Sequence, residues 1–398
     1  MNIQARDQYM ETLRAAYYKG DRKKKTEILD EYCRNTGQER KYVIKRFSYK
    51  VRLKEIRKGR EEYYNGPVKV ALVKMWKIFD YPCGSRLKPL LNTELERLIL
   101  LKEIACSDEV LEKLKKIGIA TIDRKLRHEK EVLSLDRKYG KKKLLFCHKI
   151  PVKTADEFDR SIIGHTEIDF VESCGSSVNG EYVNSLSVVD VSTGWWEGEA
   201  IMGKAQERAV GAIKKVRDRL PFPLLGIHPD NGTNLINTLL YNYMLKEGIE
   251  FTRSRTYKKN DNCFVEQKNS THVRAAIGYL RYDTKEEMDL INEIYMNELR
   301  IFKNFFQPVM KLKGKIRIKG RVHRKYEEAK TPYQRIMESD QIDSKIKEKL
   351  RLMYNNMNPA EIKRELDRKL DILCKIYQKK KDSQMVDKYK KQIPFKVS

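Results

Sequence analysis

Apolar positions in the first 130 residues recur at helical spacing, with no run that alternates as a strand would. Tyr9, Leu13 and Ala16 form one stripe, and Ile28, Leu29 and Cys33 form a second. Thr36-Gly37 then supplies a turn before Glu39 to Tyr49, where Val43, Ile44 and Phe47 face inward. Helix, short glycine turn and basic helix make the outline of a helix-turn-helix. Arg40, Lys41, Lys45 and Arg46 fall on the outer face of its second helix, either as DNA contacts or as the solvated face of a three-helix bundle. Gly66-Pro67 breaks the chain, Val68 to Phe79 resumes a helical pattern, and Pro82-Cys83-Gly84 breaks it again. Ser107 caps a helix through Leu114, and after Gly118 a further basic helix carries Arg124 and Lys125. The segments expected are a helix-turn-helix unit over 1–60, further helical DNA-binding units over 61–136 and a basic linker over 137–160.

The period changes at Ile162. Thr166 to Val171, Tyr182 to Val191 and Trp195 to Ile201 read as three strands, with Gly175, Gly180 and Gly194 in the turns. An amphipathic helix follows with Ala209, Ala212, Val216 and Leu220 on one stripe, ended by Pro221 and Pro223. Leu224 to His228 is a short buried strand that stops at Pro229-Asp230. A helix through Leu235, Leu239 and Tyr243 stops at Gly248, Glu250 to Arg253 is another strand, and Glu266 to Leu280 is a helix. Three antiparallel strands followed by alternating helices and strands predict an α/β domain over 161–282 with a mixed sheet, in the order of a ribonuclease H-like fold.

The tail, 283–398, is a basic β/α region. Lys315 to Lys319 alternates cations with apolar residues, as either a DNA-facing β-unit with a small core or an ordinary edge strand. Asn358-Pro359-Ala360-Glu361 starts a helix with Ile362, Leu366, Leu370, Leu373 and Tyr377 on one stripe, which packs on its own domain or on a second subunit.

Charge adds a partner to this picture. The 398 residues carry a formal net charge of +27, unevenly spread. Residues 1–160 hold 40 Lys and Arg against 24 Asp and Glu, 161–280 hold 13 against 14, and 281–398 hold 30 against 18. Two basic flanks around a near-neutral middle suit a polyanion such as DNA, because each cation at a phosphate releases condensed counterions. No apolar run of about 18 residues predicts a membrane span, and no signal peptide is read at the N-terminus, so a cytoplasmic protein is expected. The seven cysteines contain no CxxC pair, and the six histidines lack zinc-site spacing.

Asp169 interrupts an apolar strand, Asp230 ends another, and Glu266 follows a polar loop. Sixty residues separate the first pair and 35 the second, lengths that can bring three acids to one sheet edge. Glu167-Ile168-Asp169-Phe170-Val171, His228-Pro229-Asp230-Asn231-Gly232 and Lys259-Asn260-Asp261-Asn262-Cys263-Phe264-Val265-Glu266-Gln267-Lys268-Asn269 resemble the three motifs of the DDE transposase and retroviral integrase superfamily, in particular bacterial insertion-sequence transposases with an integrase-type core. The chain departs from that pattern at Asn234, Leu235 and Ser270, and it lacks the zinc-binding His-His-Cys-Cys domain of retroviral integrases.

The resemblance implies that Asp169, Asp230 and Glu266 are the catalytic metal ligands. It implies two Mg²⁺ or Mn²⁺ ions per site, with DNA ends and target DNA as substrates and no nucleotide cofactor. Two such ions neutralise the attacking and leaving oxygens of a phosphoryl displacement. Lys258, Lys259 and Lys268 flank the motif, either steering phosphates or as solvated surface. A homo-oligomer on DNA is expected, since one acid triad acts on one phosphate at a time. The alternatives are an inactive DNA-binding protein of transposase origin and a ribonuclease H-like nuclease that hydrolyses without joining.

Overall fold

The computed structural model describes residues 3–48, 63–134, 161–230, 235–254, 262–318 and 321–392, in two compact units, Met1–Tyr63 and Tyr64–Ser398. The 137–160 segment, expected as a linker, lies outside the described residues.

In the first unit, α1 (Ile3–Lys19), α2 (Arg22–Thr36) and α3 (Arg40–Ser48) close on Met10, Ile28, Leu29, Tyr32, Val43 and Phe47. Gly37 ends α2 in the left-handed region (φ 67°), and its amide reaches the Cys33 carbonyl. Two expected inward positions are corrected. Met10 rather than Ala16 seals α1, because Tyr9 stacks on Tyr32 at 5.4 Å and turns that side of the helix to the core. Ile44 is 40% exposed, since Val43 and Phe47 already fill the space beneath α3.

The second unit begins with helices only. These are α4 (Gly66–Ile78), α5 (Gly84–Thr93), α6 (Leu95–Leu100), α7 (Asp108–Lys116), α8 (Ile119–Lys125) and α9 (Arg127–Ser134). α7 starts after Ser107 as its sequence predicts, although the Ser107 side chain makes no capping bond. Leu72, Met75, Leu87, Leu91, Leu98, Leu114 and Ile122 lie in the same apolar cluster as Trp196 and Phe302, so 64–134 shares one core with the residues that follow.

Strands β1 (His165–Glu172), β2 (Val183–Asp190), β3 (Trp196–Met202), β4 (Gly226–Pro229) and β5 (Glu250–Phe251) form one sheet in the order β3-β2-β1-β4-β5. β1, β2 and β3 pair antiparallel, whereas β4 is parallel to both β1 and β5. This is the mixed α/β sheet that the apolar pattern predicts. α10 (Gln206–Arg219) and α11 (Thr238–Glu247) cover one face over Ile168, Leu186, Val188 and Ile227. The buried side of α11 is Leu240 and Met244; Leu239 is exposed, which corrects the predicted stripe.

The other face is covered by a continuous helical rod. It runs through α12 (Cys263–Lys268), a π-helical stretch (Asn269–Arg274) and α13 (Ala275–Ile277). α14 (Lys285–Ile294), a second π-helical stretch (Tyr295–Leu299) and α15 (Arg300–Phe306) continue the layer. Gly198 on β3 lets the sheet approach it: a Cβ there would lie 2.6 Å from the Trp196 ring and 3.0 Å from Tyr295.

Beyond this layer come a hairpin of β6 (Leu312–Ile318) and β7 (Arg321–Tyr326), then α16 (Pro332–Glu338), α17 (Ser344–Asn356) and α18 (Pro359–Gln392). Ile316 is 57% exposed, which fits the edge-strand alternative at that position rather than a small core beneath it. α18 starts at Asn358, whose Oδ1 accepts from the Ala360 amide at 3.0 Å. Its apolar stripe packs on its own chain, with Leu366 and Leu373 buried and Ile362, Leu370 and Tyr377 half-buried. Lys369 and Lys380 fasten the same face through Glu298 (2.7 Å) and Glu287 (2.6 Å). No helix among the described residues is long and apolar enough to cross a membrane.

Candidate active site

Register brings the two aspartates together. Ile168 of β1 sits beside Pro229 of β4, so Asp169 and Asp230 occupy the next positions along two parallel neighbours, at the carboxyl end of β4. Asp169 is half-buried and Asp230 exposed. Ligands of open mixed sheets gather at this kind of strand end.

Glu266 is exposed on α12, which is tied to β1 by two side chains. Asn269 Nδ2 donates to Asp169 Oδ2 at 2.7 Å, and three residues of helix place Asn269 and Glu266 on one face. Glu167 is 3% exposed, and its Oε2 accepts from the Phe264 amide at 2.8 Å and the Val265 amide at 2.9 Å. Glu167 shares a strand face with Asp169, two positions on.

Burial, and then the charge of Asp230, push the Asp169 carboxyl well above the usual carboxylate range, and Glu266 adds to the rise. The Phe170 amide and Asn269 oppose it. Among the described residues, no three of His, Cys, Asp and Glu are drawn close enough to hold one cation. The Asn269 Oδ1 atom is buried without a hydrogen-bond partner beside Asp169.

Lys268 is corrected. The sequence reads it as flanking the site, but it is 4% exposed, on the far side of α12 from Glu266. Burial pulls its ammonium down to about 7, and the nearby charges that add to this, Arg86, Lys303 and Arg335, are all cationic. His272, one turn on, is held neutral by burial and by Lys268. Lys268→Met, close in volume and uncharged, is expected to raise the midpoint of thermal unfolding and leave any DNA affinity unchanged. A drop in DNA affinity would return the ammonium to the surface.

The remaining basic candidates divide. Arg46 pairs with Asp7 at 2.6 Å and Arg40 pairs with Asp30, whereas Lys41 and Lys45 are exposed. Arg124 is exposed and Lys125 half-buried on α8. Lys258 and Lys259, like Asn231, Gly232 and Asn234, lie outside the described residues. Glu167 and Asn269 stand inside the motifs but take their roles only from the fold. Their signal in the sequence is spacing, an acid two residues before Asp169 on a strand and an amide three residues after Glu266 on a helix.

No protein-family model matches the sequence. Two integrase structures align with part of it. The catalytic core domain of BIV integrase aligns with 43% of this chain and 91% of its own, at 15% identity and a TM-score of 0.29. The HTLV-2 integrase catalytic core domain, solved with magnesium, aligns with 36% of this chain and 88% of its own, at 15% identity and a TM-score of 0.27. The uncharacterized protein y4rM of Sinorhizobium fredii is 31% identical over 327 residues, 82% of this chain and 93% of y4rM. At that identity and coverage, the chain belongs to the same protein family as y4rM.

Proposed function

We propose that this chain is a DNA transposase or integrase with a ribonuclease H-like core, which cleaves the ends of a mobile element and joins their 3′-hydroxyls to target DNA. The observation that carries this is that Asp169 and Asp230 each follow directly on the paired residues Ile168 and Pro229, with Glu266 on a helix bonded back to β1. The sheet order and the three motifs agree with it.

The donor set suits a hard divalent cation. Asp169, Asp230 and Glu266 are all-oxygen ligands, as Mg²⁺ and Mn²⁺ require. Their mutual repulsion at Asp169 is the kind of charge that a cation relieves, and the unpartnered Asn269 Oδ1 is a further oxygen there. Bound metal would supply charge neutralisation at the phosphate and a more acidic water or 3′-hydroxyl. The chain's own residues hold the acids in place: β1 and β4 fix the aspartates, and Glu167 and Asn269 fix the helix.

DNA recognition falls to the basic flanks. In the first unit, α2 and α3 flank the Gly37 turn and leave Lys41 and Lys45 exposed for duplex contact. The β6–β7 hairpin, with Lys313, Arg317, Arg324 and Lys325 exposed, offers a second surface. Changing those four to glutamine in the full chain is expected to flatten the slope of log affinity against log salt by about 3 to 4 if each meets a phosphate. An unchanged slope would assign their charge to edge protection alone. The active form is proposed to be a multimer. The α18 stripe is spent inside the chain, so assembly uses another surface.

The deciding experiment incubates the full chain and Mg²⁺ with duplexes spanning the DNA on both sides of its coding sequence. Strand-joined products are expected. Hydrolysis without joining would favour the nuclease alternative, and binding without either reaction would favour the inactive DNA-binding one.

A further inference from the structure

We infer that Glu167 is a positioning residue, whose buried carboxylate docks the start of α12 onto β1 and so sets where Glu266 stands relative to Asp169. The inference rests on the proposed function for its consequence, but the docking itself is independent of it.

The first amides of a helix lack intrahelical acceptors and are ordinarily capped from the preceding residue. Here that residue, Asn262, makes no side-chain cap. Glu167 replaces it from another element 97 residues away in the chain, accepting from both Phe264 and Val265 at 2.8 and 2.9 Å. Bonds to an ionised acceptor are about twice as strong as neutral ones, and a carboxylate at a helix N-terminus also meets the positive end of its dipole.

The chemistry of position 167 is therefore specific. Aspartate is one methylene shorter and falls short of the amides. Glutamine reaches them and still accepts, without the charge. Alanine leaves both amides buried and unsatisfied. Glu266 lies one and two residues beyond the held amides, so a slip at Glu167 moves it directly, whereas Asp169 remains fixed by β2 and β4.

The test uses the full chain and its Glu167→Gln, Glu167→Asp and Glu167→Ala variants, with three readouts. Hydrogen exchange at the Phe264 and Val265 amides is expected to quicken by about tenfold or more in Glu167→Ala, with exchange in β2 and α10 unchanged. Mn²⁺ affinity, titrated by its paramagnetic resonance signal without DNA, and the rate of Mg²⁺-dependent end cleavage are expected to fall on the order of 10–100-fold in Glu167→Ala and Glu167→Asp. Glu167→Gln is expected to recover most of both, a graded rescue that a general loss of folding would not give.

Wild-type exchange at Phe264 and Val265 in Glu167→Ala would overturn the docking. Faster exchange with Mn²⁺ affinity and cleavage unchanged would overturn the positioning role. A wild-type chain that neither binds Mn²⁺ nor cleaves DNA would overturn the functional reading beneath it, whatever the exchange shows.

Discussion

Asp169→Asn, Asp230→Asn and Glu266→Gln are each expected to lower Mg²⁺-dependent cleavage and joining by about 10³-fold or more, corresponding to ~4 kcal/mol of lost transition-state stabilisation. The substitutions are close to isosteric and remove only the negative charge of each proposed ligand. At Asp169 the fold has a reason to tolerate the change. The carboxylate accepts from the Phe170 amide at 2.7 Å and from Asn269 at 2.7 Å, and an asparagine oxygen can keep the first while Asn269 turns its amide over to meet the new donor. Losing a negative charge that Asp230 and Glu266 repel should make metal-free Asp169→Asn somewhat more stable than wild type. A second readout follows from mass action: Mg²⁺ should raise the unfolding midpoint of the wild type and not of the variants. Near-wild-type turnover in any one of the three would remove that residue from the site. An identical Mg²⁺ response in all four proteins would remove the metal.

How far the sequence shows this arrangement depends on whether a feature is local. The strands are legible because alternation and length are properties of each segment. Thr166 to Val171 and Trp195 to Ile201 each lie within a residue or so of the observed strand. α11 shows where periodicity alone fails. In Thr238 to Glu247 both Leu239/Tyr243 and Leu240/Met244 repeat at four, and only the position of Phe251 and α10 decides which pair is buried. α5 is hidden by its punctuation, since Pro82 and Gly84 read as a break and Pro89 lies inside the helix. The acids of the candidate site are legible from their motifs. The surroundings of Lys268 are not, because the cations near it come from distant segments, with Arg86 on α5, Lys303 on α15 and Arg335 on α16. Glu167 and Asn269 lie between these cases: their spacing is in the motif, but their bonds are tertiary.

The same distinction leads to the largest stability effect expected away from the candidate site. β3 is an edge strand whose Glu197 and Glu199 point at α10, and the Glu197 side chain is only 1% exposed. Its Oε1 accepts from Trp195 Nε1 at 2.8 Å and from Arg300 Nε at 2.5 Å, and its Oε2 lies 3.4 Å from Arg219 Nε. Burial raises the Glu197 carboxyl above its ordinary range, and Arg300 is the largest of the influences that draw it back. Two guanidiniums, each 17% exposed, thus share one buried acid, with Arg219 also meeting Glu199 at 2.8 Å. Breaking such a cluster from the acid side strands the Arg300 guanidinium in a low-dielectric interior, while Arg219 keeps Glu199, so Glu197→Ala should cost about 3–5 kcal/mol. Glu197→Gln, which keeps an acceptor for Trp195 but not the charge, should cost less. Arg300→Ala should also be milder than Glu197→Ala, because Arg219 remains to neutralise the acid. Chemical unfolding of the full chain, followed in the second unit by the fluorescence of Trp76, Trp195 and Trp196, measures all three. A loss below about 1 kcal/mol for Glu197→Ala would mean that water reaches the cluster and screens it as it would a surface pair.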